Sequence, residues 1–561
     1  MHERAVAGKT DAETTAAPLR TPDNGYEFRR LRYGRRMKSS DAEVPVLFAG
    51  GGLVGLSTAM FLAQHGIPSL AVERLQKGSH LPRAAHFHMR TLEMFRSAGI
   101  EDEVRAQSNV EFEPEGSIVL MDSLAGKVLV QFIPELNAGV DAFSPCRRLF
   151  VTQPGLEPIL RRRAEAIGAT VRNGHEVVGF TQDADGVTAT IKDVESGHER
   201  QVRSKYLVGA DGAHSRIREL AGIEFDGRGV FSNSITIYFK APITPLLAGT
   251  NYSVIYVKNE HLSGFFRLDR DQQAGFLAIN TVGDTAKPEA ASPANDVREE
   301  TLIAHVRRAA GVADLPVTIT GVARWRATAD VARRFREGRV FLAGDAAHLM
   351  PPNGGFGGNT GIHDGHNLAW KLALVLKGIA DPDLLDTYES ERRPVGKFTV
   401  EQAYTRYVTR TAPYLGKKDY EPLADDFDIE IGYLYGADAV HEHPGVSHGR
   451  PGSRAPHVWI ERHGVRISTL DLFKGNFVVL TGREGHAWID AAPKAAAKFP
   501  GLRVDAVGIS DDAFSAAYGI TPAGATLVRP DGFVAWRSVD GISDAERQLT
   551  KTLAAVLHRS A

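Results

Sequence analysis

The chain has 561 residues, of which 43% are hydrophobic and 24% charged, so roughly two to four globular domains can each bury a core. A formal net charge of −2 excludes the basic stripe of a nucleic-acid-binding protein. A single cysteine, Cys146, excludes an intrachain disulfide and a CxxC redox pair. It fits a reducing cytoplasm, and no apolar run long enough to cross a membrane stands in the sequence, so no membrane partner is expected.

Residues 1–40 are polar and end in the basic stretch RRLRYGRRMKSS. No apolar segment follows Arg35–Arg36, so the stretch reads as a flexible leader rather than a secretory signal, with Met37 an alternative start. Residues 44–55, VPVLFAGGGLVG, then place a short apolar strand directly before Gly50-x-Gly52-x-x-Gly55. The helical spacing of LSTAMFLAQHG follows, and a second strand, SLAVE, ends at Glu73, 21 residues after Gly52. In that strand–turn–helix–strand–acid context the pattern is a dinucleotide-binding fingerprint. Gly50 permits the tight turn, Gly52 lets a pyrophosphate approach the backbone, and Gly55 lets helix pack on strand. The free N–H groups at Leu53 and Val54 face the phosphates. Glu73 accepts from the adenosine ribose hydroxyls, with Arg74 beside it.

Residues 231–325 alternate as strands in SITIYFKA, NYSVIYVKN, SGFFRLDRD and AGFLAIN, which predicts an antiparallel sheet. Next, VFLAGDAAHLMPPNGGFGGNTG at 340–361 combines strand, acid, a Pro-Pro break and a burst of glycines. Glycine carries an entropic cost that close ligand approach justifies. A helix beginning near Thr360 aims its dipole at an electron-rich ring edge. The arrangement suits a flavin, with Gly344 and Asp345 at the ribityl hydroxyls and the N–H groups of Gly355, Gly357, Gly358 and Asn359 at the ring carbonyls. His363 and His366, and the three histidines of HEHPGVSH, each raise a metal reading. No carboxylate or cysteine cluster completes either set, and no metal is expected.

Together with YLVGADGAHSRIR, which holds Asp211, Gly212 and Arg218, these segments resemble the FAD-dependent aromatic hydroxylases, the group A flavoprotein monooxygenases. Phenol and chlorophenol hydroxylases and polyketide-tailoring hydroxylases are the most similar branches. The resemblance spans about 44–560 and carries further positions over. It places Arg83 at the adenosine half of FAD, Gln153 at the ribityl chain, Asp211 between FAD and a visiting nicotinamide cofactor, and Pro352 beside the reactive flavin edge. Tyr256 falls at a pocket tyrosine, with His88, Tyr238, Phe265 and Phe266 as further substrate-pocket candidates. Ala85 stands where some relatives carry an aspartate or an arginine, so no substrate base carries over.

The implied architecture is α/β: a Rossmann-like FAD-binding domain (41–230 and 326–400) with an inserted antiparallel-sheet substrate domain (231–325). A helical connection (401–449) then leads to a thioredoxin-like domain (450–561), which has no cysteine for dithiol chemistry. The implied activity takes NADPH or NADH and O2 and hydroxylates an electron-rich, phenol-like or polyketide-derived aromatic through a flavin C4a-hydroperoxide. A homodimer is the expected assembly. The residues themselves leave open a flavin oxidase or Baeyer–Villiger-type monooxygenase, and a flavin-binding protein without turnover.

Overall fold

In the computed structural model the described residues are 43–79, 86–247, 249–283, 296–412, 415, 419–436 and 439–560. The leader 1–40 and Arg83 lie outside them. Among the described residues no helix is long and apolar enough to cross a membrane.

The chain is mixed α/β. Its first sheet is built on five parallel strands in the spatial order Val340–Leu342, Glu199–Gly209, Glu43–Ala49, Ser69–Glu73, Ala169–Asn173. The central strand Glu43–Ala49 buries Val46, Leu47 and Phe48 completely, as a parallel strand covered on both faces must. The chain steps outward from this strand in one direction to residue 173, then returns to its other side with Glu199–Gly209 and Val340–Leu342. That reversal makes a topological switch point, where a crevice opens at the carboxyl ends of the strands.

The second sheet is larger than the sequence pattern implies. Its order is His348–Leu349, Thr318–Ala332, Phe225–Lys240, Ala274–Val282, Leu262–Leu268, Tyr252–Lys258, Ser117–Met121, Val128–Ile133. The expected limits at 231 and 325 cut two of these strands, and Ser117–Met121 joins from far upstream by parallel pairing with Tyr252–Lys258. One face buries Ile235, Ile237, Phe239, Phe266 and Leu277 together with Leu302 and Val306 of the helix Glu299–Ala310. Alternation places Phe265 and Arg267 on the other face.

A third, four-stranded sheet has the order Val504–Gly508, Phe477–Thr481, Ala525–Val528, Val534–Ser538 and packs against the helices His486–Ala496 and Ala545–Val556. Buried charges tie it to the first body. Arg454 donates to Glu93 at 3.0 Å, Arg529 to Glu391 at 2.6 Å, and Arg90 to the Asp531 carbonyl at 2.6 Å. The region expected as a helical connection is the end of a long helix, Thr387–Arg410, a short helix Asp426–Glu430, and mostly irregular chain after that.

Candidate active site

Three turns meet at the carboxyl edge of the first sheet: Gly50–Gly55, Ala210–Ser215 and Gly344–Ala347. They follow the adjacent strands ending at Ala49, Gly209 and Leu342. Three glycines of the first turn are required by the protein itself, one of them Gly51, where a Cβ would stand 2.7 Å from Glu73 Cβ. Gly50 has φ +106°, and a Cβ there would stand 2.2 Å from the Ala210 carbonyl oxygen; at Gly55 it would stand 2.0 Å from the Gly50 oxygen. Gly52 differs. A Cβ there would meet only Glu157 Oε1 at 3.6 Å and Gln153 Nε2 at 3.9 Å, ordinary contacts, at an ordinary φ of −80°. No side chain caps the helix Leu53–Gln64, so its first-turn N–H groups point free past an open glycine. The protein's own packing does not need a glycine at 52, which leaves room for a pyrophosphate to approach the backbone.

The same holds at the other end. The helix of the glycine segment starts at Phe356, not near Thr360, because Gly355 at φ +72° turns the chain into it directly after the Pro-Pro break. Gly357 and Gly358 therefore occupy its first turn, again with no side-chain cap. A Cβ at Gly357 would sit 3.9 Å from Asp345 Oδ1 and 3.7 Å from Met350 Cγ, so the protein's own packing does not require the glycine. Asp345 is exposed at this edge. Farther along, Gly361 and Gly365 pass so close to Val54 and Thr58 that any Cβ would overlap them, which brings the two free helix ends together. An acid at each end, donors along the middle and space where side chains are missing fit an FAD laid across the switch point.

Glu73 accepts from Gly51 N and Leu75 N, both at 2.9 Å, which fixes the carboxylate at the strand end; Arg74 is exposed beside it. Gln153 opens the helix Gln153–Ala166 and donates to Glu157 at 2.6 Å, close over Gly52 rather than out along the crevice. Burial and the nearby Glu73 charge push the Glu157 carboxyl up. Asp211 accepts from Ser215 Oγ at 2.5 Å and Ile217 N at 3.1 Å, so it braces the first turn of the short helix Arg216–Leu220, which Ser215 caps. Burial raises its pKa.

Two expected contact residues hold the scaffold. Asn359 accepts from His88 N and Thr91 Oγ, and donates to the His86 and Gly355 carbonyls at 2.9 and 2.7 Å. His88 is 2% exposed, with Nε2 3.0 Å from the Gly354 oxygen; it latches the glycine loop instead of lining a pocket. His363 lies between Thr91 Oγ (3.0 Å) and the Tyr433 hydroxyl, and His366 packs edge-on to Phe61. Carboxylates do approach one histidine of HEHPGVSH: ligand atoms of Asp425, Asp428 and His443 lie within 4.8 Å of one another. Asp425 caps a helix and Asp428 faces His441 at 3.1 Å, so both acids already have partners.

Facing this edge, the second sheet carries a ladder of rings. Tyr238–Phe276, Phe276–Phe265, Phe265–Tyr256 and Tyr256–Phe132 have centroids 6.0, 6.0, 5.7 and 5.7 Å apart. Tyr256 shares an apolar cluster with Phe112 and Phe150. Phe150 stacks on His86 at 4.6 Å, and His86 lies against Gly355. The ladder thus runs toward the start of the glycine helix. Phe266 does not belong to it, because it is fully buried on the opposite face.

Sequence reasoning passed over a buried network beneath the loop. Asp364 accepts from His348 Nε2 at 2.7 Å, Arg392 Nε at 2.8 Å and Gly344 N at 3.1 Å, all fully buried. His348 and Arg392 hold the Asp364 carboxyl below the usual carboxylate range despite its burial.

The family model described as "FAD binding domain" matches residues 43–403, and "Aromatic-ring hydroxylase, C-terminal" matches 448–560. The chain belongs to the FAD-dependent aromatic hydroxylases. Like its relatives, the hydroxylase is a flavin-dependent monooxygenase that uses FAD, NAD(P)H and O2 on a small aromatic substrate. It is 50% identical to the 4-methyl-5-nitrocatechol 5-monooxygenase of a Burkholderia species, over 92% of this chain and 98% of that one. It is 38% identical to the tetracenomycin A2 monooxygenase-dioxygenase of Streptomyces glaucescens, over 93% and 98%. The solved structure of aklavinone-11 hydroxylase with FAD and aklavinone superposes with a TM-score of 0.86 at 34% identity, over 93% of this chain and 100% of that one.

Gly52 gives the hydroxylase a clean test of the cofactor's path. Gly52→Ala is expected to leave the melting temperature of the FAD-free protein unchanged and to weaken FAD binding at least about tenfold, some 1.4 kcal/mol. Titrating apoprotein with FAD by flavin fluorescence measures it; wild-type affinity would mean that the cofactor does not approach this backbone.

Proposed function

We propose that the hydroxylase acts on a single phenolic ring of the catechol class, held on the aromatic ladder of the second sheet with its reactive carbon toward Pro352 and the start of the glycine helix. The observation that carries this reading is the continuity from Tyr256 through Phe150 and His86 to Gly355. The higher identity to the nitrocatechol enzyme than to the tetracenomycin enzyme favours one ring over a polycycle. We read residues 41–230 and 326–400 as the FAD-binding body, the second sheet as the substrate domain and residues 450–561 as a thioredoxin-like domain without a redox role.

Bound FAD, reduced by NAD(P)H, would activate O2, which itself provides the oxygen atom that is transferred. The protein's work is orientation, exclusion of water and movement of one proton. Apolar rings on the ladder exclude water from the reacting face. The Tyr256 hydroxyl takes hydrogen-bonding contact with the substrate phenol and passes its proton outward as the ring becomes electron-rich. Gly52, Glu73 and Asp345 bind the cofactor, and Gln153 steadies Glu157 above the phosphate turn.

Tyr256→Phe keeps the ring packing against Phe132 and Phe265 and removes only the hydroxyl. Folding and FAD content are expected to hold, while hydroxylation slows by up to about 10²–10⁴-fold. NAD(P)H consumption then outruns product, and H2O2 accumulates. The ratio of product formed to NAD(P)H consumed decides; wild-type coupling in the variant removes Tyr256 from the proton path. The enzyme reading itself is tested by catechol-stimulated NAD(P)H oxidation that yields one hydroxylated product per turnover.

A further inference from the structure

Among the described residues seven arginines are buried, and six of them, Arg90, Arg148, Arg392, Arg406, Arg454 and Arg529, each meet a carboxylate. Arg267 is the exception. It is 5% exposed, and its one hydrogen bond among the described residues runs from Nη1 to the Ser253 carbonyl at 2.7 Å. Its Nε and Nη2 are buried and meet no acceptor among those residues. The guanidinium is gripped by two rings, with Cζ 3.8 Å from the centre of Phe112 and 4.0 Å from that of Phe150. Burial pulls it down to about 9, against the pull of Asp269 and Glu111, so it remains a cation at neutral pH.

A buried charge without a counter-charge is expensive, and proteins neutralise or pair such groups. This one is held flat by cation–π contacts, with the buried Nε and Nη2 of one edge left without an acceptor among the described residues. That edge matches two coplanar oxygens of an anion. Arg267 lies two residues from Phe265 on one strand, hence on the sheet face that carries Tyr256, and Phe150 links it to His86 at the glycine helix.

We infer that Arg267 is the substrate's counter-ion: it binds the paired oxygens of an ionised catechol through Nε and Nη2 and selects aromatic anions over neutral rings. The assignment rests on the single-ring reading above and adds the charge state of the bound substrate. Ionisation makes the ring more electron-rich before oxygen transfer, so binding as the anion also serves the reaction.

The test uses the FAD-loaded full chain without NAD(P)H, so that nothing turns over. The probe is 4-methyl-5-nitrocatechol at mildly alkaline pH, where the nitro group para to one hydroxyl has ionised it and its visible band reports the charge. Its dimethyl ether is the neutral control. Arg267→Met is expected to weaken binding of the catecholate roughly 10- to 100-fold. Ether binding should change little, and the spectrum of the bound catechol should shift to the neutral form. Arg267→Lys should recover part of the affinity. FAD content should be unchanged, and the melting temperature of the substrate-free Arg267→Met protein should equal or exceed that of the wild type, because an unpaired buried charge has gone.

Equal losses for catecholate and ether, a lower melting temperature, or loss of FAD would each show Arg267 to be scaffold and overturn the proposal. So would unchanged catecholate affinity in the variant. A wild type that binds neither compound overturns the single-ring reading and this assignment with it; a wild type that binds both, matched by the variant, overturns the Arg267 assignment alone.

Discussion

Asp345→Ala protein is expected to purify with little or no flavin. Asp345 is the carboxylate that stands beside the open Gly357 at the carboxyl edge of the first sheet, and it is exposed there. Alanine therefore removes little packing, and the apoprotein should still fold. A hydrogen bond to a charged group contributes about 1.5–3 kcal/mol, so FAD affinity should fall by roughly one to two orders of magnitude. Titrating the apoprotein with FAD measures the loss. Retention of FAD at wild-type strength would show that the cofactor's hydroxyl chain runs elsewhere.

Asp364→Asn has the larger effect on the fold. The carboxylate is fully buried and neutralises Arg392, which also donates to the Tyr435 hydroxyl at 3.1 Å and the Thr360 carbonyl at 3.3 Å. An amide keeps the shape but leaves the Arg392 cation uncompensated, at a cost of about 3–5 kcal/mol. Chemical denaturation of the FAD-free protein should show a midpoint shift of that size. Because the folded Asp364 pKa is depressed, its contribution is fully present above the unfolded carboxylate value of about 4 and disappears as pH falls through the lower folded value. The variant should therefore lose stability relative to wild type at neutral pH, and the gap should narrow in acid. A gap independent of pH would mean that Asp364 is not the charged partner.

The cofactor turns were legible because their chemistry is local: a glycine forced by a backbone clash, a glycine left open, and an acid at a strand end all sit within a few residues of one another. The start of the glycine helix was misplaced by four residues, because glycines argue against helix on propensity and only Gly355's positive φ fixes the boundary. The strand Val128–Ile133 gave no alternation to read, since Val128, Leu129 and Val130 are all exposed at the sheet's edge. Phe266 was grouped with Phe265 although neighbours on a strand face opposite ways. Arg267 and Asp364 carried no local signal at all. What distinguishes them is the presence or absence of a partner that the fold brings from tens or hundreds of residues away.

The charge pairs that tie the third sheet to the first body have a bearing on how the protein is made. Glu93 waits for Arg454, Glu391 for Arg529, and Arg90 for the Asp531 carbonyl. A ribosome supplies Arg90 for Glu93 and Lys371 for Glu391 early, at 2.9 and 2.8 Å, yet the second cation of each acid arrives only within the last hundred or so codons. These charge clusters are therefore completed only after most of the chain has been written. A message truncated before residue 454 leaves Glu93 and Glu391 with one cation each where the whole chain supplies two.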